Sequence, residues 1–227
     1  MPAALSAPKA TRECKQTAVQ TPENPISDTY QTLVAPAEGL YKEKGSKFIA
    51  LAYPVRNEEE IKETLAQVRK TYFDARHHCY AYLLGAAKKV YRANDDGEPN
   101  HSAGDPILGQ IRSSGLSNVL VIVVRYFGGT KLGVGGLIHA YKTATADALA
   151  SAPVIEKHET SVIKLEFEYA QMNDVMSLVK ELNLAVLNQK FELACEMELE
   201  IRNQMLEQAL TRFRKIDGVT ATTETLL

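Results

Sequence analysis

Residues 118–140 read NVLVIVVRYFGGTKLGVGGLIHA, and the fold turns on them. Val119, Leu120, Val121, Ile122, Val123 and Val124 form an unbroken run of β-branched residues and Leu. The run is too short to span a bilayer and suits a strand buried on both faces. Arg125 stands where such a strand leaves the core. Gly128, Gly129, Gly133, Gly135 and Gly136 follow, with Lys131 among them. Glycine lets a backbone turn at positive φ and lets a partner approach closely. Residues 137–150 then read as a helix. A buried strand, a basic glycine-rich turn and a helix start can build an anion site from backbone N–H groups and the helix dipole. A tight, closely packed strand-to-helix connection would use the same residues.

Working outward, residues 46–55 carry Phe48, Ile49, Leu51, Tyr53 and Val55 and read as a strand. Asn57 is a good N-cap, followed by Glu58, Glu59 and Glu60 in a first turn. Ile61, Leu65, Val68 and Tyr72 recur at helical spacing. Residues 78–84 read as a strand, and residues 88–92 as a short partner across a turn at Gly85. Residues 94–99, Asn-Asp-Asp-Gly-Glu-Pro, have strong turn chemistry. Pro106 suits the first turn of a short helix that stops at Gly115. Residues 30–34 suit a short strand, and residues 36–45 a turn-rich connection. Residues 1–28 carry Pro2, Pro8, Pro22 and Pro25 among small and polar residues without an apolar period, which predicts a mobile tail.

Ala152 and Pro153 break the helix of the first unit, assigned to residues 29–152. A second unit, residues 160–227, begins with Ile163, Leu165, Phe167 and Tyr169 alternating with Lys164, Glu166 and Glu168. Helix faces at Met172, Val175, Met176 and Val179, and at Met205, Leu206, Ala209, Leu210 and Phe213, separate three further strands. The order βαββαβ matches a ferredoxin-like arrangement. Its outward strand positions carry Glu166, Glu168, Glu192, Glu196, Glu198 and Glu200. Such a face repels phosphate, so a base-stacking RNA sheet is excluded there; a solvated face or a protein-docking surface is expected.

Charge is divided in the same sense. Residues 29–152 hold 15 Lys and Arg against 12 Asp and Glu; residues 153–227 hold 8 against 13. A phosphate-binding surface belongs in the first unit. Composition is that of an ordinary globular protein, 45% hydrophobic and 24% charged. No apolar signal core opens the chain, and Cys14, Cys79 and Cys195 are widely spaced and odd in number, so a cytoplasmic location is expected and no disulfide framework or zinc spacing follows.

The glycine-rich segment is not a Walker A loop, because Leu132 follows Lys131. It is not a dinucleotide fingerprint, because Ile138 stands where the third glycine would fall. His77 and Cys79 share one face of a strand, but two ligands do not define a metal site. Asp95, Asp96 and Glu98 lie in one turn and could hold magnesium, although solvated loop acids look the same in sequence. No catalytic residue, metal site or cofactor is assigned.

These motifs together resemble the bacterial YigZ-type members of the IMPACT family. The resemblance covers residues 30–227. It is carried by Gly104, the spaced aliphatics Ile107, Leu108, Ile111 and Leu116, then Ile122-Val123, Arg125-Tyr126-Phe127-Gly128-Gly129 and Leu132-Gly133. Lys44-Gly45-Ser46-Lys47-Phe48, His77-His78-Cys79-Tyr80-Ala81-Tyr82 and Asp95-Asp96-Gly97-Glu98-Pro99 add to it. It implies an α+β protein, with a ribosomal-protein-like first domain and a ferredoxin-like second, both similar to domains of the translocation elongation factor. For eukaryotic relatives it implies translational control through a partner of a starvation-sensing kinase; they carry a different partner domain, so that pathway is not expected here.

The expectation is therefore a protein that binds RNA or the ribosome and modulates translation. Arg125 and Lys131 would hold phosphate, with the backbone of Gly128, Gly129, Gly133, Gly135 and Gly136 closing around it. Lys44, Lys47 and Arg76 are secondary candidates. One alternative is an enzyme using the same pocket on a small phosphorylated substrate, with the loop acids on magnesium. Another is an adaptor docking a protein on the acidic sheet. Arg125 has a structural alternative too, an ion pair with Asp95, Asp96 or Glu98.

Overall fold

A computed structural model describes residues 28–192 and 194–224. The first unit runs β1 (Thr29–Leu33), β2 (Ala37–Glu43), β3 (Ser46–Pro54), α1 (Glu58–Thr71), β4 (His77–Leu84), β5 (Val90–Asn94), α2 (Gly104–Ser113), β6 (Val119–Tyr126) and α3 (Gly133–Ser151). After β7 (Val154–His158) come β8 (Thr160–Phe167), α4 (Met172–Glu181), β9 (Ala185–Phe191), β10 (Cys195–Arg202), α5 (Leu206–Phe213) and β11 (Thr220–Glu224).

The apolar run becomes β6, the middle strand of an antiparallel sheet ordered β2-β3-β6-β4-β5. Helices cover both faces of this sheet, which is why β6 needs no polar alternation. Val119, Val121 and Val123 enter the core beneath α2 and α3. Leu120, Ile122 and Val124 enter the one beneath α1. Each such side chain contributes roughly 1.5–3 kcal/mol on full burial. The α1 start is as expected: Asn57 Oδ1 accepts the Glu60 N–H at 2.9 Å, with Glu58 to Glu60 in the first turn.

Two segments without a strand pattern are nonetheless strands. Residues 36–45, expected as a turn-rich connection, contain β2. Lys44 at φ 45° and Gly45 at φ 79° form the two-residue turn that joins it to β3. Its Gly39 lies under α3, where a Cβ would stand 2.3 Å from the Ala148 nitrogen. The connection after Pro153 contains β7, which pairs antiparallel with β1. Helix α3 also begins four residues before its expected start at Leu137, at Gly133.

The second unit has strand order β11-β8-β10-β9, all antiparallel, with its own core of which Ile163, Leu165, Val175, Leu199 and Phe213 are members. This is the ferredoxin-like topology read from the alternation. The opposite face of the sheet is less uniformly acidic than expected. Glu196 does pair across from Glu166, but Lys164 lies 3.6 Å from Glu198, and Thr160 Oγ1 donates to Glu200.

The units are tied at β1 and β7. Expected as the last residue of the tail, Asp28 is instead buried and accepts from Arg202 Nη2 at 2.9 Å and from the Gln204 N–H at 3.2 Å. Burial alone would raise its pKa, but those hydrogen bonds and the charges of Arg202 and His158 hold its carboxyl below the ordinary value. Glu159 reaches both sides: its carboxylate accepts the Ala86 N–H and its carbonyl accepts the Asn203 N–H. The tail expected for residues 1–27 lies outside the described residues. Among the described residues, no helix is long and apolar enough to cross a membrane.

Candidate functional site: a cleft where the central strand ends

Strand period places Arg125 on the same face as Val123, toward α3, but one row beyond the point where the helix fully covers the sheet. Phe48 and His77 are its direct neighbours on β3 and β4. A row of Phe48, Arg125 and His77 therefore crosses the end of the sheet. The β6–α3 connection and the first two turns of α3 rise beside it. Together they line a cleft of about 450 Å³, bounded by Arg76, His77, Glu98, Pro99, Arg125, Phe127, Lys131, Leu132, Gly133, Val134 and Leu137.

Arg125, expected to hold phosphate, is only 6% exposed. Its Nη1 donates to Glu98 Oε1 at 2.5 Å, so one of the three carboxylates weighed as structural partners does pair with it. The guanidinium carbon lies 5.4 Å from the Phe48 ring and 5.6 Å from the Phe127 ring, within cation–π range. Yet the buried Nε–H has no hydrogen-bond partner among the described residues. An orphaned donor on a guanidinium that already lines a cleft costs free energy until an acceptor satisfies it.

Behind the pair is a polar cluster that the sequence did not announce. Tyr141 donates its hydroxyl to Glu98 Oε1 at 2.8 Å. Cys79 Sγ lies 3.3 Å from that hydroxyl and 3.0 Å from the Asp95 carbonyl oxygen. Burial first, and the nearby carboxylates of Glu98, Asp96 and Asp95 next, push the Cys79 thiol up to about 12, although Tyr141's hydrogen bond pulls the other way. Burial likewise raises Tyr141. Both stay protonated at neutral pH, so Cys79 is an inert thiol here. The signal for Tyr141 was its place on the inward stripe of α3 with Leu137, Ala140 and Ala144, where a buried hydroxyl must find an acceptor.

The loop acids do not converge. Asp95 Oδ1 accepts the N–H groups of Ala103 and Gly104, and its Oδ2 accepts that of His101, so it caps the start of α2. Asp96 accepts the His78 N–H and an Arg69 guanidinium N–H. Glu98 faces Arg125. No grouping of three His, Cys, Asp or Glu suited to a metal ion occurs among the described residues. The arrangement of these carboxylates offers magnesium no shared ligand set.

The glycines divide into two kinds. Gly128 is held by contact: a Cβ there would lie 1.9 Å from the Gly45 carbonyl carbon, and its N–H donates to Ser46 Oγ at 3.2 Å. Gly129 and Gly133 have positive φ, 86° and 73°, with open space around them. Gly135 also faces open space, and a Cβ on Gly136 would stand 3.0 Å from Leu132 Cβ. Of the basic candidates, Arg125, Lys131 and Arg76 line the cleft; Lys44 and Lys47, in and beside the β2–β3 turn, do not. Helix α3 has Leu132 as its N-cap residue, with no side-chain cap hydrogen bond and no acid in its first turn. Its first N–H groups are thus left for water or for a ligand.

The fold and this cleft define a two-unit α+β protein with a basic, glycine-framed cleft at the end of its central strand. Residues 44–149 match the Impact N-terminal domain. Over 147 residues the chain is 35% identical to the IMPACT family member YigZ of Escherichia coli, covering 64% of this chain and 72% of that one. Over 136 residues it is 34% identical to the IMPACT family member YvyE of Bacillus subtilis, covering 60% of this chain and 63% of that one. The chain belongs to the IMPACT family. A crystal structure described as that of an hypothetical protein superposes with a TM-score of 0.67 at 26% identity, over 88% of this chain and 99% of that one.

Proposed function

We propose that this protein binds RNA, free or within the ribosome, through the cleft at the end of β6, and that it modulates translation by doing so. The observation that carries this reading is a cleft lined by Arg76, Arg125 and Lys131 with a single carboxylate, Glu98, among its lining residues. Charge-assisted hydrogen bonds to phosphate oxygen would satisfy the guanidinium, and Lys131 adds a mobile point charge. The uncapped start of α3 supplies backbone donors on the same side. Phe127, 47% exposed and at the cleft wall, offers a ring for an unstacked base. Glu98 accepts from Nη1 of Arg125 and so holds the guanidinium in place at the cleft. The second unit, with more acids than bases, would sit away from the phosphates and could meet a protein partner on its sheet.

The test is co-sedimentation of the full chain with ribosomes, and fluorescence binding to single-stranded RNA, each over a range of salt. Affinity should fall steeply as salt rises. Lys131→Ala should weaken binding and reduce the salt slope by about one unit. It should leave stability within about 0.5 kcal/mol, as expected for an exposed side chain. Unchanged binding in that variant would remove the cleft from the account.

A further inference from the structure

Resting on that reading of the cleft, we infer that its ligand is a single nucleotide bearing a phosphomonoester, so that the site reads a phosphorylated nucleotide end and not an internal phosphodiester. Charge is the first reason. Arg76, Arg125 and Lys131 face one carboxylate, Glu98, which is paired to Arg125 at 2.5 Å. Among the described residues Arg76 and Lys131 have no ion-pair partner, and they stand beside the positive end of a 19-residue helix. A phosphomonoester carries roughly −1.5 to −2 at neutral pH, whereas a diester carries a single charge, so the monoester is the closer match.

Shape is the second reason. The cleft has a floor of buried side chains, Glu98, Arg125 and Leu137, and no floor position is open to solvent. A terminal phosphate reaches such a floor with a single ester arm leading back out. An internal phosphate needs room for two. The volume, about 450 Å³, falls at the small end of the range for small-ligand sites.

The capping pattern is the third. Asn57 caps α1, and Asp95 accepts the Gly104 N–H at the start of α2. Helix α3, like α4 and α5, receives no hydrogen bond from its N-cap side chain, and its first turn lines the same cleft as Arg125. Backbone donors and guanidinium together present more donors than one bridging diester can use. A terminal phosphate, with three free oxygens, can take them.

The experiment uses the full chain and one short RNA sequence made in three forms: 5′-phosphate, 3′-phosphate, and hydroxyl at both ends. AMP and adenosine serve as competitors. At least one phosphorylated end should bind about tenfold or more tightly than the all-hydroxyl RNA. AMP should compete and adenosine should not, and Lys131→Ala should erase the difference between forms. Which phosphorylated RNA gains identifies the end. Equal binding of all three, still weakened by Lys131→Ala, overturns the end-reading inference while leaving RNA binding in the cleft intact. Binding of AMP without binding of any RNA supports the phosphomonoester and overturns the RNA reading. Binding of neither overturns both.

Discussion

The two sheets of this protein meet water in opposite ways. In the first unit, helices cover both faces, so β6 is buried throughout and chemistry is confined to the strand's end, where Arg125 emerges beside the start of α3. In the second unit, helices cover one face only, and the other carries Glu166, Glu196 and Lys164 toward solvent. A doubly covered sheet concentrates polar groups in a few buried, over-determined contacts. A singly covered sheet disperses them into solvent-screened ones. The same ion-pair chemistry should therefore have different weight in the two places.

The largest effect should come from the buried pair. Arg125→Ala leaves Glu98 facing only Tyr141, and loss of one partner of a buried pair costs on the order of 3–5 kcal/mol. Glu198→Ala, removing the half-exposed partner of Lys164, should cost about 1 kcal/mol or less. Urea unfolding of both variants tests the contrast, and equal losses would break it. A smaller but clear loss is expected for Gly128→Ala, since the new Cβ must push the Gly45 turn away from β6; forced overpacking of this kind costs typically about 1–3 kcal/mol.

The junction tests whether the units respond together. Asp28 has a folded pKa below its ordinary 3.8. Its stabilisation is fully present above that value and is lost as pH falls below 3.8 through the lower folded value. Acid unfolding of the wild type should thus steepen below pH 3.8 relative to Asp28→Asn. Parallel curves would show that the Asp28–Arg202 contact does not couple the units. The smallest effect is at the helix glycines. Gly135 and Gly109 have open space where a Cβ would go and no left-handed φ. Gly135→Ala and Gly109→Ala should each raise thermal stability, by up to about 1 kcal/mol. A loss at Gly135 alone would mean that the start of α3 needs a bare backbone even without ligand.

Much of this arrangement was legible in the residues. An uninterrupted apolar run too short for a bilayer suits a doubly covered strand, and residues 119–126 form one. Asn57 before three acids marked a helix start, and strict alternation of Ile163, Leu165 and Phe167 with charged residues marked a half-buried strand. The strands β2 and β7 were not legible. Ala37-Glu38-Gly39-Leu40 has neither β-branching nor a clean alternation, because its Gly39 is there to let α3 approach. β7 is exposed along its length and exists because β1 lies beside it.

The candidate site shows the same division. By itself the chain determined that a basic, glycine-rich turn follows the central strand and opens a helix, since composition and period are local properties. It also named Arg125, Lys131 and Arg76. Only the tertiary structure decided that Glu98, twenty-seven positions away, would pair with Arg125, that Tyr141 would bond the same oxygen, and that Lys44 and Lys47 would lie outside the cleft. It also separated Asp95, as a helix cap, from Glu98, as a cleft wall, although the two are three residues apart in one turn. A local pattern states which groups a segment carries. Which of them meet depends on strand register and helix docking, and these are set by burial of apolar surface over the whole unit.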